Sequence, residues 1–249
     1  MGDDYMTDSP WTRRISGLAF WLAIAAVAVA LIGTTLARYD VIGKLPGFMS
    51  FVYMAMAGGG IAVLALIALV MNWRAGWPAA GKAVTALVIG VAAFGALSLL
   101  RSTAADYPFI HDVTTDLDNP PEFAELIVPE DNLRGTEGVE DWKAQHREGY
   151  PDIDGILVAM SPAEVVAKAA ELAEERGWTI AATAPEKGRF EAVAYASWIK
   201  FEDIVVLRAV PADGGRTRVD MRSVSRVGQS DLGENAKRIR EFLAALQTG

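Results

Sequence analysis

The sequence predicts an α+β protein: a three-helix transmembrane anchor followed by an antiparallel sheet with helices packed on one face, in the order β-α-β-β-β-β-α. Three observations predict it. Three apolar runs, about Ile15 to Leu36, Phe48 to Met71 and Ala83 to Leu100, contain no charged residue. Polar, acidic and Pro-containing sequence begins after Arg101. Beyond Ile153, short alternating stretches separated by Gly and Pro turns accompany two amphipathic helical patterns. The chain therefore divides into a membrane anchor over 1–101, an acidic Pro-rich connector over 102–152 and an α+β domain over 153–249.

At a rise of about 1.5 Å per residue, each apolar run is long enough to cross a hydrocarbon core of about 30 Å. Trp11, Tyr39, Trp73 and Trp77 fall near the expected interfaces, where amphipathic rings settle. Arg13, Arg14, Arg74 and Lys82 flank one side of the bilayer, against Arg38, Lys44 and Arg101 on the other. The excess of bases puts the N-terminus inside, and three crossings carry the large domain outside, as in a bacterial inner-membrane protein with a periplasmic domain. Thr12-Arg13-Arg14 also fits a twin-arginine export signal, but the apolar run is too long, and Ser16 and Gly17 stand where that signal needs large hydrophobes. With no ionisable residue at membrane depth, the helices offer no proton relay or ion site. Small residues at four-residue spacing, Ala55/Gly59 and Ala86/Gly90, favour close packing within the anchor.

The connector carries Tyr107-Pro108, Asn119-Pro120-Pro121 and Tyr150-Pro151 as breakers, and should run extended apart from one short helix around Val139 to Arg147. His111-Asp112 with Asp116 and Asp118 suggests a cation site. An EF-hand would need Gly and Glu at set later positions, where Pro120-Pro121 intervenes. His111 and His146 are the only imidazoles and there is no cysteine, so neither a His-rich zinc site nor a thiolate site is expected.

Ile153 to Met160 reads as the first strand of the domain. Ser161-Pro162-Ala163-Glu164 is a capping box with Pro at the first helical position. The helix it opens should run from Pro162 to about Arg176, bury Val165, Val166, Ala169, Leu172 and Ala173, and stop at Gly177. Trp178 to Ala184, Arg189 to Ile199 and Ile204 to Val210 read as strands, and Asp213-Gly214-Gly215 closes a hairpin into a last strand from Arg216. On that strand Val219, Met221, Ser223 and Ser225 share one face. Arg218, Asp220, Arg222, Val224 and Arg226 share the other, where Asp220 can bridge Arg218 and Arg222. The final helix is capped by Ser230 or Asp231 and buries Leu232, Ala236, Ile239, Phe242, Leu243 and Leu246, with Lys237, Arg238 and Arg240 pointing away.

Several of these stretches carry a family likeness. His111 to Asp116 with Pro120-Pro121, Gly177-Trp178, Glu191-Ala192, Phe201-Glu202-Asp203, Arg208 and above all the run from Val219 to Gly228, continuing through Ser230 to Gly233 and Asn235 to Arg240, resemble the bacterial and plastid family known as domain of unknown function 1499. The likeness spans about residues 107–246. It implies the identity of the domain and supplies no mechanism.

The charged strand face is open to several readings: a salt-bridged surface, an anion site formed with the helix N-terminus after Ser230, a clasp for the acidic connector, or a docking surface. The candidate binding set is Arg222, Arg226, Arg208, His111 and Asp112. A catalytic set does not assemble. Gly228 to Gly233 has one residue too many for a nucleophile elbow, and Ser197-Trp198-Ile199-Lys200 matches S-x-x-K at a strand end without its companion motifs. Hydrolase or transferase chemistry from His111 and Asp112 is the remaining enzymatic possibility. Residues 1–100 hold six of the 23 Lys and Arg and four of the 31 Asp and Glu, so the remainder is strongly acidic and unsuited to nucleic acid. The expectation is a non-catalytic envelope protein without metal or cofactor. Its domain would bind a partner or an anionic or lipidic ligand, or serve as an accessory or assembly subunit of a larger membrane complex.

Overall fold

The computed structural model describes residues 9–248, so Asp3, Asp4 and Asp8 lie outside the described residues. The chain forms two compact units, Met1–Ala104 and Ala105–Gly249, each with its own packing.

The first unit contains helices α1 (Pro10–Arg38), α2 (Lys44–Arg74) and α3 (Ala80–Ala104), all long and apolar enough to cross a membrane. Each shows small residues inward and large apolar ones outward. Ala19, Ala23, Ala65 and Ala86 are fully buried, whereas Leu31, Val63, Val88 and Leu99 are exposed. This is the pattern of helices whose outer face meets lipid, where close backbone approach supplies the association. Gly58 and Gly90 allow that approach, since a Cβ on Gly58 would stand 2.9 Å from the Gly90 carbonyl oxygen. Asn72 adds a polar clamp. It donates to Ser16 Oγ of α1 (2.9 Å) and to the Ala68 carbonyl (2.7 Å), and accepts from the Ala79 amide at the start of α3 (2.8 Å).

The second unit is a six-stranded antiparallel sheet with helices α4 (Val139–Gly149), α5 (Pro162–Glu175) and α6 (Glu234–Thr248). Its strands are β1 (Asp112–Thr114), β2 (Ile156–Val158), β3 (Thr179–Ala184), β4 (Arg189–Ala196), β5 (Phe201–Ala212) and β6 (Arg216–Ser225), in the order β1-β6-β5-β4-β3. β2 shares the outer edge of β6 with β1, pairing at Thr217–Val219 while β1 pairs at Arg222–Val224. The predicted β-α-β-β-β-β-α order is present from β2 to α6. The connector adds a strand to it, because β1 finds its partner a hundred residues further along the chain.

The Ser161–Glu164 capping box forms with both reciprocal bonds, and α5 buries Val165, Val166, Ala169, Leu172 and Ala173 as its 3.6-residue period requires. With α6 these side chains cover one sheet face. Phe190, Met221 and Phe242 are fully buried there, and Trp178 stacks on Phe242 at 4.9 Å between ring centroids. The connector covers the other face, laying Phe123, Leu126 and Val128 on Val193, Ile204 and Val224. A segment that reads in sequence as an extended acidic connector thus packs against the second face of the sheet.

Four expectations need correction. Leu232, expected on the buried stripe of the last helix, precedes α6, is only partly buried and has φ of 55°, a turn conformation. The strand expected to end at Ile199 ends at Ala196, and Ser197 to Lys200 form a tight turn in which Ser197 and Lys200 have φ of 60° and 59°. Arg238 does not point to solvent: it is 9% exposed, on the flank of the α6 stripe that meets the polar Ser223 side of β6. Asp220 bridges Arg218 and Arg208, not Arg218 and Arg222, because Arg208 stands directly opposite it on β5.

Candidate functional site

The alternation of β6 sends Asp220, Arg222 and Val224 to the face covered by the connector. There Arg222 meets Asp112 of β1 in a two-point pair, Nε to Oδ1 at 2.9 Å and Nη2 to Oδ2 at 2.6 Å. Asn132 donates a third bond to Asp112 (2.5 Å), and the Phe123 ring lies 5.9 Å from the Arg222 guanidinium carbon. Burial pulls the Arg222 pKa down, but the bonds to Asp112 outweigh it and leave the guanidinium more firmly protonated than usual. One diagonal step along the face, Arg208 donates to Asp220 (3.1 Å), to Asp116 (2.9 Å) and to the Asn119 carbonyl (3.0 Å). Arg218 completes the row by bridging Asp220 and Asp154.

Of the five candidate residues, the structure therefore joins Asp112 to Arg222, and connects Arg208 to the connector through Asp116. Arg226 stands apart at the end of β6. It is 41% exposed and pairs with Glu202 at 3.1 Å. His111 is 2% exposed, its Nδ1 is 3.4 Å from the Gln229 carbonyl, and its Nε2 is buried without a partner. Burial, and next the Arg134 charge, hold its pKa below the ordinary imidazole value.

Sequence reasoning named Glu191 and the short helix around Val139 to Arg147 but gave neither a partner, and these two hold this face shut. Glu191, fully buried and the only acid of β4, accepts the amides of Ala124 (2.8 Å), Glu125 (3.1 Å) and Leu126 (2.9 Å), with Arg189 at 3.3 Å. A lone acid within Arg189–Ala196 was the available signal. Outward-facing backbone groups on β1 are closed by α4: Trp142 donates to the Asp112 carbonyl (2.8 Å), and the Thr114 amide donates to His146 Nε2 (3.2 Å). Residues four apart share a helix side, so one turn of α4 satisfies two sites on the edge strand. His146 is neutral in this role, and burial lowers its pKa.

On the opposite face, Arg238 binds Asp203 (2.5 Å) and Ser223 Oγ (2.9 Å) and also donates to Asn235. Asn235 in turn donates to Ser225 Oγ (3.0 Å) and the His111 carbonyl (2.9 Å). Asp231 accepts from the Asn235 amide (2.7 Å) and the Gly233 amide (3.0 Å), and burial pushes its pKa up to about 6. The polar residues of the long run from Val219 to Arg240 are thus largely latches between β6, α6 and β1.

The sheet end bearing Arg226 is different. Arg226 borders an open depression of about 400 Å³ with Glu125, Leu126, Ile127 and Pro129. Ile127 is 84% exposed, Trp198 62% and Phe109 52%. Among the described residues, no group of three or more His, Asp or Glu side chains is arranged to hold a metal ion. A family model described as a protein of unknown function, DUF1499, matches residues 112–246, from the aspartate that pairs with Arg222 to the last buried leucine of α6. No curated protein matches the chain.

Proposed function

The chain belongs to the DUF1499 family of proteins of unknown function, and from that premise we propose that it is a non-catalytic binding module anchored in a bacterial inner membrane. Helices α1 to α3 cross the bilayer with the N-terminus cytoplasmic, and the sheet domain lies on the periplasmic side, where it takes a protein partner or a lipidic ligand. One observation carries the reading. The guanidinium groups of Arg208, Arg218, Arg222 and Arg238 all bind carboxylates of their own chain, whereas large apolar side chains stand exposed on loops at the Arg226 end. An external anion at Arg222 would have to displace a buried two-point carboxylate, which retains its charge-assisted bonds only where it is. The loop end asks for no such exchange.

Photo-crosslinking in native membranes tests this. A benzophenone amino acid at Ile127 should form adducts that the same probe at Glu186, on the far end of the sheet, does not. Equal and negligible adduct formation at both positions would sink the reading. Side is tested by introducing Asp213→Cys into the cysteine-free chain, which should react with an impermeant maleimide added to intact spheroplasts.

A second reading, accessory or assembly subunit of a membrane complex, is favoured by the outer surface of the helices. Gly60, Gly81 and Gly95 face open space, and an apolar groove between α1 and α2 is floored by Ala25, Ala26, Ala57 and Gly60. Such surfaces admit another helix closely. Migration in mild-detergent native electrophoresis only at the mass of the chain, or a small multiple of it, argues against this.

A further inference from the structure

We propose that α4 is an acid-released cover on the outer edge of β1, held down by the neutral imidazole of His146 and freed when that ring takes up a proton. The device does not depend on what the loops around Arg226 bind.

β1 turns its two edges to different neighbours. On either side of it the chain bonds β6: the Ser225 amide donates to the His111 carbonyl (3.0 Å), and the Thr115 amide donates to the Met221 carbonyl (2.9 Å). Alternation then sends the Asp112 carbonyl and the Thr114 amide outward. α4 takes both, the first through Trp142 Nε1 and the second through His146 Nε2. A neutral imidazole that accepts at Nε2 carries its proton on Nδ1. A second proton must go to Nε2, where it would meet the Thr114 N–H donor against donor. The bond that holds the helix becomes a repulsion.

His146 is 1% exposed, and its ring centroid lies 6.1 Å from that of Trp142 and 5.7 Å from that of Tyr150. Burial is the largest influence on it and lowers its pKa. Of the nearby charges, Asp112 favours the proton and Arg147 opposes it, but the Asp112 carboxylate is already bound by Arg222 and Asn132. Asp231 and Arg240 act on Tyr150, the next ring along. The cover is therefore shut at neutral pH. Lifting α4 returns the ring to water and to its ordinary value, so each pH unit of acidification below that value favours opening about tenfold, down to the lowered value.

The helix can lift without the sheet unfolding. α4 buries only Trp142 and His146 among its eleven residues. Lys143 and Arg147 reach the exposed Asp118 at 3.7 and 3.8 Å, where water screens them. Gly138, with φ of 131°, precedes α4, and Tyr150-Pro151 follows it. Beneath it, His146 Nδ1 and the Tyr150 hydroxyl are buried without a hydrogen-bond partner, and water would satisfy both once the helix moves. β1 itself stays, because the Asp112–Arg222 pair and the β6 ladder hold it. The uncovered edge is one to which an extended segment can add.

The chain has no cysteine, so labels can be placed singly. Nitroxides at Ala144→Cys of α4 and Glu186→Cys report the cover in the full chain in detergent, by pulsed dipolar distance measurement. A second pair, Glu186→Cys with Asp213→Cys, reports the sheet. Between about pH 7.5 and about pH 5, the 144–186 distance should gain a second, longer and broader population that grows as the pH falls, while the 186–213 distance stays fixed. His146→Gln keeps an acceptor for the Thr114 amide without a titrating ring, and should hold the short distance throughout. His111→Gln, at the imidazole beside the Gln229 carbonyl, should behave as the parent does. A 144–186 distance that ignores pH overturns the proposal, as does a response that survives in His146→Gln. Broadening of both pairs together overturns it as well, since the whole domain would then be unfolding.

Discussion

Asp112 and Arg222 form a two-point ion pair across the β1–β6 register, with the aspartate 1% exposed and the arginine side chain 16% exposed. The pair joins the first residue of the connector's strand to the most charged strand of the sheet.

Removing one partner should cost more than the pair is worth. Arg222→Ala leaves a buried carboxylate uncompensated, and a loss of about 3–5 kcal/mol is expected. A double replacement, Asp112→Leu with Arg222→Met, should recover much of that loss, because two apolar side chains leave no orphaned charge. Thermal and urea unfolding of the full chain in detergent measure both. An Arg222→Ala variant as stable as the parent would show that solvent reaches the pair.

Glu191 should control the whole connector. Glu191→Ala strands three backbone amides, each of which loses a charge-assisted bond worth about 1.5–3 kcal/mol. Hydrogen exchange should accelerate over residues 122–128 and leave α5 protected. Unchanged protection over that segment would show that the apolar contacts of Phe123, Leu126 and Val128 suffice.

The pH dependence of stability should show two opposed contributions. His111 and His146 have pKa values lowered by burial, so their contribution is present above the ordinary imidazole value of 6.5 and is lost as pH falls below it, when the unfolded chain takes up protons first. Asp231, raised to about 6 from 3.8, acts in the other sense: its contribution is full below 3.8 and lost as pH rises through about 6. Acidification from 6.5 should therefore destabilise Asp231→Asn more steeply than the parent, and His146→Gln less steeply. Parallel curves for all three would refute the assignment.

Asn72 should matter more than its neighbours suggest. Asn72→Leu removes links to α1 and to the start of α3, at a cost of about 0.6–2 kcal/mol for interhelical bonds in a membrane. Ser16→Ala removes one link and should cost less. Unfolding of the reconstituted protein by steric trapping gives the order, which a larger Ser16→Ala effect would contradict.

Much of this molecule is written in local periodicity. Charge-free runs of sufficient length determine the three apolar helices, Ser161 and Glu164 determine the start of α5, and the two-residue alternation of β6 determines that Met221 faces the helices while Arg222 does not. Each of these depends on residues within a few positions of one another, and each is legible without the fold.

Partners are another matter. Period tells a side chain which way to point but not what it will meet. Arg222 could equally have met Asp220 or an external anion until β1 settled beside β6 with Asp112 within reach. Arg238 has a position on α6 that points away from the apolar stripe, and only the packing of α6 against β6 brings it to Asp203, while Glu191 finds its three amides on a connector whose sequence shows only an extended, Pro-broken segment. The tertiary structure decided these contacts because they rest on non-local register, which no window of the chain contains. It thereby moved the candidate surface from the arginine face, satisfied from within, to the loops around Arg226.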